Sequence, residues 1–152
     1  LATAAALIVI SPQSNINAIP WGTALMVGSG PAMATTLVLF CSHFHQINQD
    51  AAVGKKSPLV ILGTHRAAEF LPWFVGLIFL LELLPVLLGI WPITTLICLI
   101  SLPSGIDLIK LIKRHHNQPE RIKNSKFLAL RFQTINGLCL SVGFAISSFF
   151  YN

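Results

Sequence analysis

One carboxylate, Asp50, lies in a short stretch that also holds His43, His45, Gln46, Lys55 and Lys56. These residue types suit an anion held through a hard cation. Asp supplies an oxygen ligand and a Gln carbonyl a second, and Mg²⁺ keeps several waters besides. If a helix runs on past Phe44, three-to-four-residue spacing sets His43, Gln46 and Asp50 on one face. Phe40 and Phe44 flank that face with aromatic surface. Gly54 then ends the helix and frees Lys55 and Lys56 to swing toward an anion such as pyrophosphate. A simpler account competes, in which Asp50 and the Lys pair form a solvated loop whose charge sets topology. His43-x-His45 suggests zinc, but on a helix the two side chains point about 200° apart. No third ligand is spaced to complete a tetrahedron.

These residues need a scaffold, and composition names it. The chain is 54% hydrophobic and 10% charged, with a mean hydropathy of +0.74. Soluble domains carry about 25% charged residues, so this is the composition of an all-α integral membrane protein. The length fits one membrane domain over residues 1–152. The chain opens on Leu1 inside an apolar run, with no basic n-region or cleavage site. We read it as the C-terminal part of a longer protein. Cys41, Cys98 and Cys139 each sit alone in an apolar segment, which favours buried thiols over a disulfide framework.

Hydropathy predicts a truncated span over 1–10, a polar loop over 11–18, and spans over 20–44, 67–89, 92–110 and 127–150. Pro31 should kink the first complete span, while Gly28, Gly30, Ala32 and Ala34 give it small surfaces for a neighbour. Gly28-Ser29-Gly30 is no nucleotide loop, because no strand precedes it. Trp21, Trp73, Trp91 and Tyr151 fall near span ends, where amphipathic rings prefer to sit. Lys and Arg occupy alternate connections: Lys55, Lys56 and Arg66 in one, and Lys110 through Arg131 in and beside the other. Positive loops stay cytoplasmic, so loops 45–66 and 110–126 should share that side. The net charge of +5 is therefore loop charge, and no nucleic-acid partner is expected.

Glu82 falls mid-span. A membrane-buried carboxylate is a functional candidate, or else a protonated structural residue bonded to a neighbouring helix. With the His residues it would suit a transporter's proton path. A third possibility is a non-catalytic membrane subunit. Asp107 and Lys110 have the spacing of a helical pair. His115, His116 and Glu120 lie in the basic loop, near substrate or simply solvated.

Leu39-Phe40-Cys41-Ser42-His43-Phe44-His45-Gln46, Gly54-Lys55-Lys56-Ser57-Pro58-Leu59-Val60 and Leu62-Gly63-Thr64 resemble the second Asp-rich region of the UbiA-type membrane prenyltransferases. Within them the chain is most similar to the cyanobacterial and plastid branch that prenylates 1,4-dihydroxy-2-naphthoate for phylloquinone or menaquinone. Gln118-Pro119-Glu120 and Asn124-Ser125-Lys126-Phe127-Leu128-Ala129-Leu130-Arg131-Phe132 resemble that branch as well.

The resemblance implies the C-terminal half of a nine-helix bundle, with the first Asp-rich motif upstream. It implies a Mg²⁺-dependent transferase of a bacterial inner or thylakoid membrane, with prenyl diphosphate, the naphthoate and the lipid bilayer as partners. Asp50 and Lys55 would be catalytic, and Asp50 with Gln46 would hold the metal. His43, His45, Gln46, Lys56, Phe40 and Phe44 would bind substrate. The chain departs from the pattern at three places. Gln46 replaces a carboxylate, as is usual for the branch. Asn48 and Gln49 stand where acids are common, leaving Asp50 alone. Ile61 replaces an Arg.

Overall fold

A computed structural model of the chain describes residues 21–150. The span over 1–10, the loop over 11–18 and Tyr151 lie outside the described residues. The elements are α1 (Trp21–Ala52), α2 (Pro58–Leu62), α3 (Thr64–Leu87), a 3₁₀ segment (Ile93–Ser101), α4 (Leu102–His115), α5 (Pro119–Ile122) and α6 (Ser125–Phe150). No strand occurs among the described residues. Four helical stretches are long and apolar enough to cross a membrane, the 3₁₀ segment and α4 together forming the third. The chain is an all-α, multi-pass membrane protein.

The four spans close into a ring. α1 packs on α3 and α6, and the third span packs on α6 and α3. Leu37, Phe44, Leu71, Ile78, Leu108, Ile112 and Phe132 fill its interior. Trp73, Leu80, Leu87, Ile93 and Phe149 stay exposed on the outside. In water such a face would be costly; against lipid chains it is the expected solvent contact. The short helices close one end of the ring: Leu59 of α2 and Ile122 of α5 are fully buried. Ser125, at the start of α6, donates from Oγ to the Cys41 carbonyl at 3.1 Å. That bond joins residues 84 positions apart.

Two boundaries differ from the hydropathy reading. α1 continues past the apolar stretch to Ala52, and its assignment is unbroken through Pro31. Gly54 follows with φ 69°, and the Lys55 amide donates to the Asp50 carbonyl at 2.9 Å. A left-handed residue closing the last turn in this way is an ordinary helix stop for Gly.

The third span was expected to be α-helical from Pro92. It opens instead with nine residues of 3₁₀ helix. Runs of that length are uncommon because the hydrogen-bond geometry is poorer, and side chains explain this one. Thr94 Oγ1 donates to the Gly143 carbonyl of α6 at 2.6 Å, and Thr95 Oγ1 donates to the Pro92 carbonyl at 2.7 Å. A Cβ on Gly143 would lie 2.7 Å from the Thr94 carbonyl oxygen. The segment is thus drawn backbone-to-backbone onto α6, a contact hydropathy does not register.

The cysteines are free thiols, Cys41 and Cys98 buried and Cys139 half-buried. Asp107 and Lys110 do not pair as their spacing suggested. Lys113 instead reaches Glu69 at 3.5 Å. Both ends of that pair are exposed, so it adds little stability.

Candidate functional site

α1 is long enough to carry its last two turns beyond the membrane stretch over 20–44, and that extension builds the site. His43 and Asp50 stand two turns apart on one face, as the spacing predicts. Their side chains meet, with His43 Nδ1 to Asp50 Oδ2 at 2.9 Å. The chain then turns back at Gly54, and Lys55 Nζ donates to Asp50 Oδ1 at 3.2 Å. Lys55 was expected to be freed by Gly54; the turn instead returns it to Asp50. Both carboxylate oxygens are engaged within the chain.

Asp50 is 7% exposed although it lies at a helix end. Burial pushes its pKa up, but the Ser57 hydroxyl, His43 and the Lys55 ammonium outweigh it and hold the carboxyl below its ordinary value. Of these, only His43 and Lys55 make bonds of good geometry; Ser57 Oγ is buried with no partner at bonding geometry. His45 points elsewhere, as its spacing from His43 requires. Burial first, then the charges of Lys126 and His43, push its pKa below the ordinary value. Its Nδ1 is buried and unpartnered.

The remaining predicted site residues divide. Gln46 is half-buried and takes no part in the Asp50 pairing, and Lys56 is exposed. Phe40 and Phe44 pack edge to face at 5.8 Å, and Phe40 also meets Phe74 at 5.7 Å. Phe44 is fully enclosed in the core of the described residues. A second polar contact joins the start of α3 to His116, which follows α4. Thr64 Oγ1 lies 3.1 Å from His116 Nδ1, and the His65 ring stands edge-on to His116 at 5.4 Å. Thr64 and His116 are 52 positions apart, and no local pattern signals their meeting. Among the described residues no three His, Cys, Asp or Glu gather where they could hold a metal ion. Asp50, with Gln46 one turn before it, is the oxygen-bearing edge this chain offers.

Comparison with known proteins follows the same residues. No family model matches the chain, and no solved structure matches it. A 2-carboxy-1,4-naphthoquinone phytyltransferase of Synechocystis sp. is 38% identical over 112 residues, covering 74% of this chain and 36% of that protein. The chloroplastic 2-carboxy-1,4-naphthoquinone phytyltransferase of Arabidopsis thaliana is 35% identical over 148 residues, covering 96% of this chain and 39% of its own length. The chain spans less than half the length of these relatives. Over the part it spans, and in accord with its all-helical membrane fold, the chain is similar to 2-carboxy-1,4-naphthoquinone phytyltransferases.

Proposed function

We propose that the protein to which this chain belongs transfers a prenyl group, phytyl or polyprenyl, from prenyl diphosphate to 1,4-dihydroxy-2-naphthoate in phylloquinone or menaquinone biosynthesis. The observation that carries this is the 35% identity over 148 residues to a relative named a 2-carboxy-1,4-naphthoquinone phytyltransferase. The position of the Asp50 cluster supports it, since a charged group at the end of a membrane helix can meet a water-soluble diphosphate while the spans hold an apolar tail. The membrane would be a bacterial inner or thylakoid membrane, with loops 45–66 and 110–126 on the cytoplasmic side. The alternation of Lys and Arg supports that sidedness.

Asp50 fits as one oxygen ligand of a Mg²⁺ ion, with the Gln46 carbonyl as a neighbour and the diphosphate and waters completing the shell. Bound there, the ion would neutralise negative charge on the leaving diphosphate. The chain's own part is to place and exchange charge. Lys55 pairs with Asp50; that ammonium would turn to an arriving anion while Asp50 keeps His43. Lys56 adds a second point charge on the exposed side. Prenyl transfer breaks the allylic carbon–oxygen bond and forms a bond from that carbon to the naphthoate ring. Loss of the ring carboxylate as carbon dioxide then restores aromaticity. Apolar span faces exclude water from the cationic carbon.

The transporter reading finds less support. Glu82 is 1% exposed, and its hydrogen bonds among the described residues lead to Asn136 and, through it, to Ser101, with no His, Lys, Arg or second carboxylate in the series. The test is turnover by the protein made from its complete reading frame, reconstituted with prenyl diphosphate, 1,4-dihydroxy-2-naphthoate and Mg²⁺. Prenylated product and carbon dioxide in equal amounts are expected, and lost in Asp50→Asn. Full turnover by a well-inserted Asp50→Asn protein would remove Asp50 from the site. No product with any prenyl diphosphate would overturn the reading.

A further inference from the structure

Each span sends one residue to a common point inside the ring. Gly30 comes from α1, Glu82 from α3, Ser101 from the end of the 3₁₀ segment and Asn136 from α6. Glu82 is 1% exposed, and Ser101 and Asn136 are 0% exposed. Asn136 Nδ2 donates to Glu82 Oε2 at 2.9 Å, and Ser101 Oγ lies 3.4 Å from the same nitrogen. Ser101 Oγ in turn donates to the Cys98 carbonyl at 2.7 Å. α1 approaches so closely that a Cβ on Gly30 would stand 2.7 Å from Glu82 Cγ and 2.9 Å from Oε1.

Two acceptor atoms at this point have no hydrogen-bond partner among the described residues, Glu82 Oε1 and Asn136 Oδ1. A buried acceptor without a donor is costly, and a buried carboxylate without a cation far more so. The groups facing Glu82 are the Gly30 backbone, the Asn136 amide and the Cys98 thiol, with Cys139 beside Cys98. None carries positive charge. No Lys, Arg or His among the described residues pairs with Glu82.

One proton meets both deficits. We infer that Glu82 is held as a neutral carboxylic acid whose Oε1–H donates to Asn136 Oδ1, so that acid and amide form a two-bond pair joining α3 to α6 against Gly30 of α1. The node is a proton-binding site that fixes how the spans meet. It is separate from the Asp50 cluster: Gly30 and Asp50 are about 30 Å apart along α1 at the rise of a helix. It is independent of the proposed reaction, because no part of it touches the diphosphate end.

The test uses the protein from its complete reading frame in lipid nanodiscs, with infrared spectroscopy and thermal unfolding as readouts. At neutral pH a protonated-carboxyl C=O band is expected that disappears in Glu82→Gln. Gln keeps both hydrogen bonds with Asn136, so its melting temperature should stay within about 2 °C of wild type, whereas Glu82→Ala should lower it by about 4 °C or more. Gly30→Ala should lower it too, and the Gly30→Ala, Glu82→Ala double variant should melt no lower than Glu82→Ala alone, since the collision is gone. A neutral-pH spectrum with no band lost in Glu82→Gln would overturn the neutral acid. A fall in melting temperature for Glu82→Gln as large as for Glu82→Ala would do the same. If Glu82→Ala fails to insert, the Glu82→Gln spectrum still decides. None of these readouts uses turnover, so an inactive enzyme leaves the result intact.

Discussion

The chain holds two buried carboxylates in opposite circumstances. Asp50, past the membrane stretch of α1, is met by an imidazole and an ammonium and stays below its ordinary pKa. Glu82, inside the ring of spans, is met by an amide, a thiol and bare backbone. The first arrangement favours charge and the second favours a proton. An ionised group held by exchangeable partners can trade them for a ligand, while a neutral one locked to a neighbouring helix sets geometry. Exposure alone does not separate the two, since both are buried. The charge of the surrounding groups does.

The sharpest way to break this contrast is to neutralise each carboxylate in turn. Asp50→Asn should lower turnover by about two orders of magnitude, the scale on which a charge acting in a transition state is lost, while Glu82→Gln should leave it near wild type. A larger loss from Glu82→Gln would exchange the two roles and revive the proton path. Lys55→Ala removes a point charge from a ground-state anion and should raise KM for prenyl diphosphate more than it lowers kcat. A fall in kcat at constant KM would place Lys55 on the transition state instead.

On the structural side, Asn136→Leu takes away the only amide bonded to Glu82 among the described residues. It should destabilise the protein by about 1–3 kcal/mol, read by denaturant unfolding in detergent. Gly143→Ala drives a Cβ into the backbone of the 3₁₀ segment and should cost about 1–3 kcal/mol as well, with no change in KM. The smallest effect is that of pH on the Asp50 clamp. A carboxyl depressed on folding contributes stability that is fully present above its ordinary value of 3.8 and lost as pH falls through the lower folded value. The end of α1, followed by amide exchange, should hold down to about that pH and loosen only below it. Loosening well above pH 3.8 would mean that Asp50 does not hold the end of α1.

Much of the scaffold was legible because a bilayer imposes a length and an apolar content on anything that crosses it. Composition and the apolar runs therefore marked the four complete spans and their order before any packing was known. One-dimensional spacing also brought His43 and Asp50 to one face, and the motif around them carried the family resemblance. Hydropathy could not see that α1 outruns its membrane stretch, because helix continuation through polar residues depends on what covers them. Nor could it see the 3₁₀ segment, which exists because Thr94 and Gly143 meet across 49 positions.

The partners of the two carboxylates divide in the same way. His43 and Lys55 lie within a few residues of Asp50, so a helix and a turn suffice to bring them together. Asn136 lies 54 positions from Glu82, and Gly30 precedes Glu82 by 52 positions. The sequence by itself determined that a carboxylate sits in the membrane and another at its edge, since residue type and hydropathy are local properties. Only the tertiary structure decided that the membrane carboxylate meets an amide, because that follows from helices meeting side by side, and such meetings leave no period in the chain.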